Sequence, residues 1–147
     1  MHLLFALRKA IDLLHEEGLE NAFRRHSLLG EAARRAVSAW TEGQVLGFNI
    51  AEASERSNTV TTVTMSNGHD PAVLQRYCKD KCGVVLGTGI GDLSGQAFRI
   101  AHMGHINAPM LLGTLGVVEI GLNALKIPHG KGGLEAAVAY LGEEVAA

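Results

Sequence analysis

The sequence predicts an α+β domain: a mainly antiparallel sheet with helices packed on one side. Three observations carry this expectation. The residue periodicities run helix, helix, strand, strand, helix, strand, strand, helix, helix, so strands come as hairpin-like neighbours rather than each followed by a helix. The run Thr59-Val60-Thr61-Thr62-Val63-Thr64-Met65 is β-branched almost throughout. Two helix starts are marked by proline just inside the first turn, at Asp70-Pro71 and at Asn107-Ala108-Pro109.

The first helix is expected over residues 3–17, where Leu4, Leu7, Ile11 and Leu14 recur at helical spacing and Leu3, Ala6 and Ala10 widen the stripe. Met1-His2 supplies no Ser, Thr, Asp or Asn as a cap, which suggests an element cut from something longer, the alternative being a frayed but complete N-terminus. Gly18 marks a stop or bend. A second helix follows over 19–40, with the stripe Leu19, Phe23, His26, Gly30, Ala33, Val37 and Trp40. Glu20 with Arg24 and Glu31 with Arg35 form i,i+4 pairs with the acid first, the better orientation. His26 reads as a buried, hydrogen-bonded core residue.

Residues 41–58 read as loop with one short strand at 45–50, and 59–65 as a strand ending at the Asn67-Gly68 turn. The helix opened by Asp70-Pro71 turns Val73, Leu74, Tyr77 and Cys78 inward and ends near Cys82-Gly83. Residues 84–86 form a short strand, 87–95 a Gly-rich loop, and 97–102 a further strand. The long helix over 107–125 buries Leu111, Leu115, Val118, Leu122 and Leu125. Its Gly113, Gly116 and Gly121 suggest close approach of another backbone, since mid-helix Gly costs about 1 kcal/mol relative to Ala. A loop over 127–133 precedes a last helix that uses Leu134, Ala137, Val138 and Leu141.

The chain has 147 residues, one domain on length, and carries a single core without staples. Its net charge of −2 and scattered basic residues leave no electrostatic footprint for nucleic acid. No transmembrane span is expected: the apolar stretch 110–125 is short and broken by glycines and Glu119. The apolar start is interrupted by Arg8 and Lys9 and fits no signal peptide. Two cysteines, Cys78 and Cys82, point to a reducing, cytoplasmic setting. An apolar content of 47%, with an apolar first helix, predicts self-association, hence a homo-oligomer.

The stretch Gly95-Gln96-Ala97-Phe98-Arg99-Ile100-Ala101-His102-Met103-Gly104-His105 is the strongest candidate for function. Alternation puts Phe98 and Ile100 on one face and sends Arg99 to the other, between the small Ala97 and Ala101. An arginine so placed can grip both oxygens of a carboxylate. A surface arginine on a solvated face fits the same spacing. The Gly-rich loop fails both phosphate patterns, because a strand rather than a helix follows it and no Lys-Ser/Thr ends it. Cys78 and Cys82, four apart, read as structural. His102 and His105 allow a zinc reading that no further ligand spacing supports. No nucleophile motif surrounds Ser54, Ser57 or Ser94, and Asp92 and Glu119 are isolated.

Several segments together resemble the C-terminal small domain of class V pyridoxal-phosphate-dependent aminotransferases, of the serine–glyoxylate and alanine–glyoxylate (serine–pyruvate) type and of fold type I. They are Ala6-Leu7-Arg8-Lys9-Ala10-Ile11, Glu16-Glu17-Gly18-Leu19-Glu20-Asn21, Arg25-His26, Thr59-Val60-Thr61-Thr62-Val63, residues 87–95, Phe98-Arg99-Ile100-Ala101-His102-Met103-Gly104 and Gly132-Gly133-Leu134-Glu135-Ala136-Ala137. The resemblance implies that Arg99 binds the α-carboxylate of an amino-acid or keto-acid substrate. Ala101 stands where the motif usually has Gly. It further implies a pyridoxal phosphate cofactor in the full-length enzyme. The Schiff-base lysine and the aspartate partner of the pyridine nitrogen belong to a large N-terminal domain. None of Lys9, Lys79, Lys81, Lys126 or Lys131 stands in the cofactor-lysine motif. The chain alone is therefore expected to bind no cofactor productively and to be inactive. The alternative is a stand-alone α+β module that binds a small carboxylate or a protein partner.

Overall fold

The computed structural model describes residues 1–145. Helices α1 (His2–Glu17) and α2 (Leu19–Thr41) lead into strand β1 (Leu46–Phe48) and strand β2 (Val60–Met65). Helix α3 (Pro71–Cys82) precedes β3 (Gly87–Thr88) and β4 (Ala97–Ala101), and α4 (Ala108–Ala124) and α5 (Gly133–Val145) close the chain. The four strands form one antiparallel sheet in the order β1-β2-β4-β3. The fold is α+β, as the order of periodicities requires.

One face of the sheet holds the core. Val63, Met65, Phe98 and Ile100 point into it and meet Trp40, Val37 and Ala33 of α2, Leu74 and Cys78 of α3, and Leu111, Leu115, Val118 and Leu122 of α4. The cap residues act as their types dictate. Asp70 accepts from the Ala72 N–H at 2.8 Å, and Asn107 from the Met110 N–H at 3.0 Å. Burial pushes the Cys78 thiol up to about 11, which keeps it protonated and inert.

The structure corrects several details. Residues 84–86 are not a strand: Gly83, at φ 70°, turns the chain out of α3, and the Val84 N–H bonds back to the Cys78 carbonyl at 3.0 Å. Pairing begins instead at Gly87 and Thr88, so the expected loop over 87–95 opens with strand β3. Val73 and Val138 face outward, because each lies about 100° around the helix from a fully buried neighbour, Leu74 or Ala137. Tyr77 is only half-buried. Gly121 makes room for side chains rather than for a backbone, since a Cβ there would stand 2.7 Å from Leu74 Cδ1 and 3.4 Å from Cys78 Sγ. A Cβ on Gly113 would meet nothing within 4 Å.

The stripe of α2 holds from Gly30 to Trp40 but not before, where Leu19 and Phe23 are exposed. A helix of this length is about 35 Å long, and its first turns extend past the core toward α1 and the loop after β4. For the same reason His26 is half-buried, not a core residue. Among the described residues no helix is long and apolar enough to cross a membrane.

Candidate functional site

The β4 register places Arg99. It pairs with Thr62 of β2 on one side and Gly87 of β3 on the other, on the face away from Phe98 and Ile100. The side chain is half-buried, and its Nε donates to the Thr88 carbonyl at 2.7 Å. Nη1 and Nη2 have no partner among the described residues, and Arg99 takes part in none of the ion pairs found there. The guanidinium is thus pinned on one edge and open on the other, which leaves two parallel donors for a planar carboxylate.

The other half-buried arginines differ. Arg25 spends its fork on Glu17, at 2.6 and 2.8 Å, and its remaining nitrogen on the Gly104 and Ile106 carbonyls. Arg34 is taken by Glu31 and by the Ser57 and Asn58 oxygens. Arg56 stacks on the Phe48 ring at 3.8 Å and donates to the Ile50 and Ala51 carbonyls. Among these four, Arg99 alone leaves both terminal nitrogens free.

Gly87 and Thr62 were not legible as parts of this site. A Cβ on Gly87 would stand 3.2 Å from Arg99 Cβ and 3.4 Å from its Nε, so the residue leaves room for the guanidinium. Only strand register identifies it, and register depends on long-range pairing. A cavity of about 280 Å³ is lined by Phe48, Asn49, Arg56 and Thr62 on the β1–β2 side of the sheet, and neither Arg99 nor Gly87 lines it. A larger groove of about 640 Å³ lies elsewhere, between α1, the start of α2 and the loop 104–107.

The histidines divide by role. His102 is fully buried; its Nε2 meets Thr61 Oγ1 at 2.9 Å and its Nδ1 the Asn58 carbonyl at 3.0 Å. Both ring nitrogens are thereby occupied. Among the described residues no group of three His, Cys, Asp or Glu side chains is placed to hold a metal ion. His26 Nε2 accepts from the Gly104 N–H at 3.0 Å, and Arg25 holds the neighbouring carbonyls, so the loop that follows β4 is fastened to α2. The Arg25 fork also holds the Glu17 carboxyl below the usual range.

Burial pushes the His102 imidazole below its ordinary pKa. Its folded-state pKa is depressed, so its contribution to stability is complete above the unfolded value. That contribution is lost as pH falls through the folded one, where the unfolded chain binds the extra proton. Urea midpoints measured from pH 7.5 to pH 5 are expected to fall with a steeper pH slope in the wild type than in His102→Gln. Equal slopes would show that His102 does not titrate between the two states.

No protein-family profile matches the chain. Curated proteins and solved structures do. A serine–glyoxylate aminotransferase of Methylorubrum extorquens is 39% identical over 145 residues, covering 96% of this chain and 34% of that protein. A serine–glyoxylate aminotransferase of Arabidopsis thaliana is 40% identical over 144 residues, with the same two coverages of 96% and 34%. The crystal structure of a pyridoxamine–pyruvate aminotransferase from Mesorhizobium loti superimposes with a TM-score of 0.82 at 31% identity, covering 90% of this chain and 33% of that one. The chain spans about a third of the length of the relatives it matches.

Proposed function

We propose that this chain, which belongs by sequence and fold to the class V aminotransferases, is the substrate-carboxylate-binding small domain of such an enzyme. The intact protein would move an amino group from serine or alanine to glyoxylate or pyruvate. The observation that carries this reading is the open Nη1–Nη2 edge of Arg99 beside Thr62 and Gly87, with Nε held by Thr88. Arg99 orients the substrate by its carboxylate, which aligns the bond at Cα that the chemistry must break.

Pyridoxal phosphate, when bound, supplies the electron sink for that chemistry. The reading assigns no residue of this chain to its site. All five lysines are exposed on helices or loops, and none shares the sheet face with Arg99. In this reading the lysine, the pyridine partner and the phosphate cradle belong, as the resemblance implies, to a large N-terminal domain outside this chain. In this reading the partners of the chain are that domain, the amino-acid or keto-acid substrate, and further copies in a homo-oligomer of the cytoplasm.

The experiment is direct. The 147-residue chain, incubated with pyridoxal phosphate, serine and glyoxylate, is expected to give no stoichiometric cofactor absorbance and no amino transfer. A longer protein that joins the chain to a cofactor-lysine domain is expected to give both. Turnover by the chain alone would overturn the division of labour, and inactivity of the longer protein would overturn the aminotransferase reading.

A further inference from the structure

Pro71, Leu74, Gln75 and Cys78 share one face of α3, at the i, i+3, i+4 and i+7 positions of a helical stripe. Three of the four are fully buried, and the glutamine is half-buried among them. A polar side chain on such a stripe needs a partner for its amide. Gln75 finds one outside its own helix: Nε2 donates to the Gly87 carbonyl at 2.8 Å.

Gly87 is half of β3. That strand has two residues, follows the unpaired segment 84–86, and pairs with a single neighbour, β4. Leu86 is buried and fixes where the chain enters the sheet. Among the described residues only two side chains bond to the β3 backbone. Gln75 takes the Gly87 carbonyl, and Arg99 Nε takes the Thr88 carbonyl at 2.7 Å. They come from opposite sides of the sheet. Helix α3 packs on the core face through Leu74 and Cys78, whereas Arg99 crosses Gly87 on the other face, where a Cβ would stand 3.2 Å from Arg99 Cβ. The one acceptor that orients the Arg99 guanidinium is thus carried by an edge strand that Gln75 braces.

We propose that Gln75 is a positioning residue for the carboxylate grip. By holding the Gly87 carbonyl it fixes the next carbonyl, that of Thr88, and with it the plane in which Arg99 offers its open Nη1–Nη2 edge. This role rests on the reading of Arg99 given above. The two carbonyls are coupled because rigid peptide planes move only through the dihedrals between them. Glycine at position 87 resists such rotation less than any other residue, so the strand gains most from an outside tether there. A two-oxygen grip needs a planar match, and a guanidinium free to swing must be ordered again at each binding event.

Gln75→Met and Gln75→Glu both remove the donor and keep the length of the side chain. In the isotope-labelled 147-residue chain, the Arg99 Nε–H resonance reports the bond to Thr88 directly. Its exchange with water is expected to be about fivefold faster in both variants, the net worth of one neutral hydrogen bond, with unchanged circular dichroism. In an enzyme that contains the chain, both variants are expected to lower kcat/KM for serine about fivefold and to leave that for an amine without a carboxylate unchanged. Unchanged Nε–H exchange overturns the proposal and leaves the carboxylate reading standing. An equal loss for both substrates also overturns it, since Gln75 would then serve the fold alone. Unchanged kcat/KM for serine overturns it too, and Arg99→Ala separates the two failures: a crippled Arg99→Ala enzyme keeps the carboxylate reading, and an unaffected one removes that reading as well.

Discussion

In an enzyme that contains this chain, Arg99→Ala is expected to lower kcat/KM for serine and glyoxylate by about 1,000-fold, and Arg99→Lys by about 30-fold. The magnitudes follow from what each change removes. Truncating a charged partner of a hydrogen-bonded ion pair costs roughly 2–5 kcal/mol, and each 1.4 kcal/mol is tenfold. Lysine restores the charge but not the planar fork, so about 2 kcal/mol of charge-assisted hydrogen bonding is lost. Neither change is expected to unfold the domain. The guanidinium makes one hydrogen bond, to the Thr88 carbonyl, and the core lies on the other face of the sheet. An amine substrate without a carboxylate is expected to react at an unchanged rate with both variants. Unchanged kcat/KM for serine in a folded Arg99→Ala enzyme would remove Arg99 from the site.

That arginine was legible because strand alternation is local. Phe98 and Ile100 fix which face is buried, and Arg99 follows to the other side. The helix starts at Asp70-Pro71 and Asn107-Ala108-Pro109 were legible for the same reason, since a cap acts within one turn. What failed was set by distant partners. Val84, Val85 and Leu86 have strand composition, but pairing begins only at Gly87, where β4 offers Arg99 and Phe98 in register. Leu19, Phe23 and His26 continue the apolar periodicity of α2, yet no sheet lies beneath them. Periodicity reports which residues share a face, not whether anything covers it. The neighbours of Arg99, Gly87 and Thr62, come from other strands and carry no mark in the sequence. Glu119 looked isolated for the same reason, because its partners are 79 and 15 residues away in the chain.

Those partners set up the largest stability effect expected in the fold. Trp40, fully buried on α2, donates its indole N–H to Glu119 Oε1 at 2.8 Å, and the same oxygen accepts the Leu134 N–H at 3.0 Å at the start of α5. One carboxylate on α4 thus joins α2 to α5 and satisfies a helix N-terminus with a negative charge. Gly133 completes the arrangement, since a Cβ there would overlap Trp40 Nε1 and stand 2.8 Å from Glu119 Oε1. Trp40→Ala is expected to cost about 4 kcal/mol in urea unfolding, the usual loss for an emptied aromatic site. Gly133→Ala is expected to cost about 3 kcal/mol through overpacking. A domain of ordinary stability holds only about 5–15 kcal/mol, so either change consumes a large share. Trp40→Phe separates overpacking from a general intolerance of alanine at position 133. Phenylalanine has no ring nitrogen at the point of overlap, so adding Gly133→Ala in the Trp40→Phe background is expected to cost at least 1 kcal/mol less than in the wild type. Strict additivity of the two changes would mean that the indole does not exclude a side chain at Gly133, and the junction of α2, α4 and α5 would need another explanation.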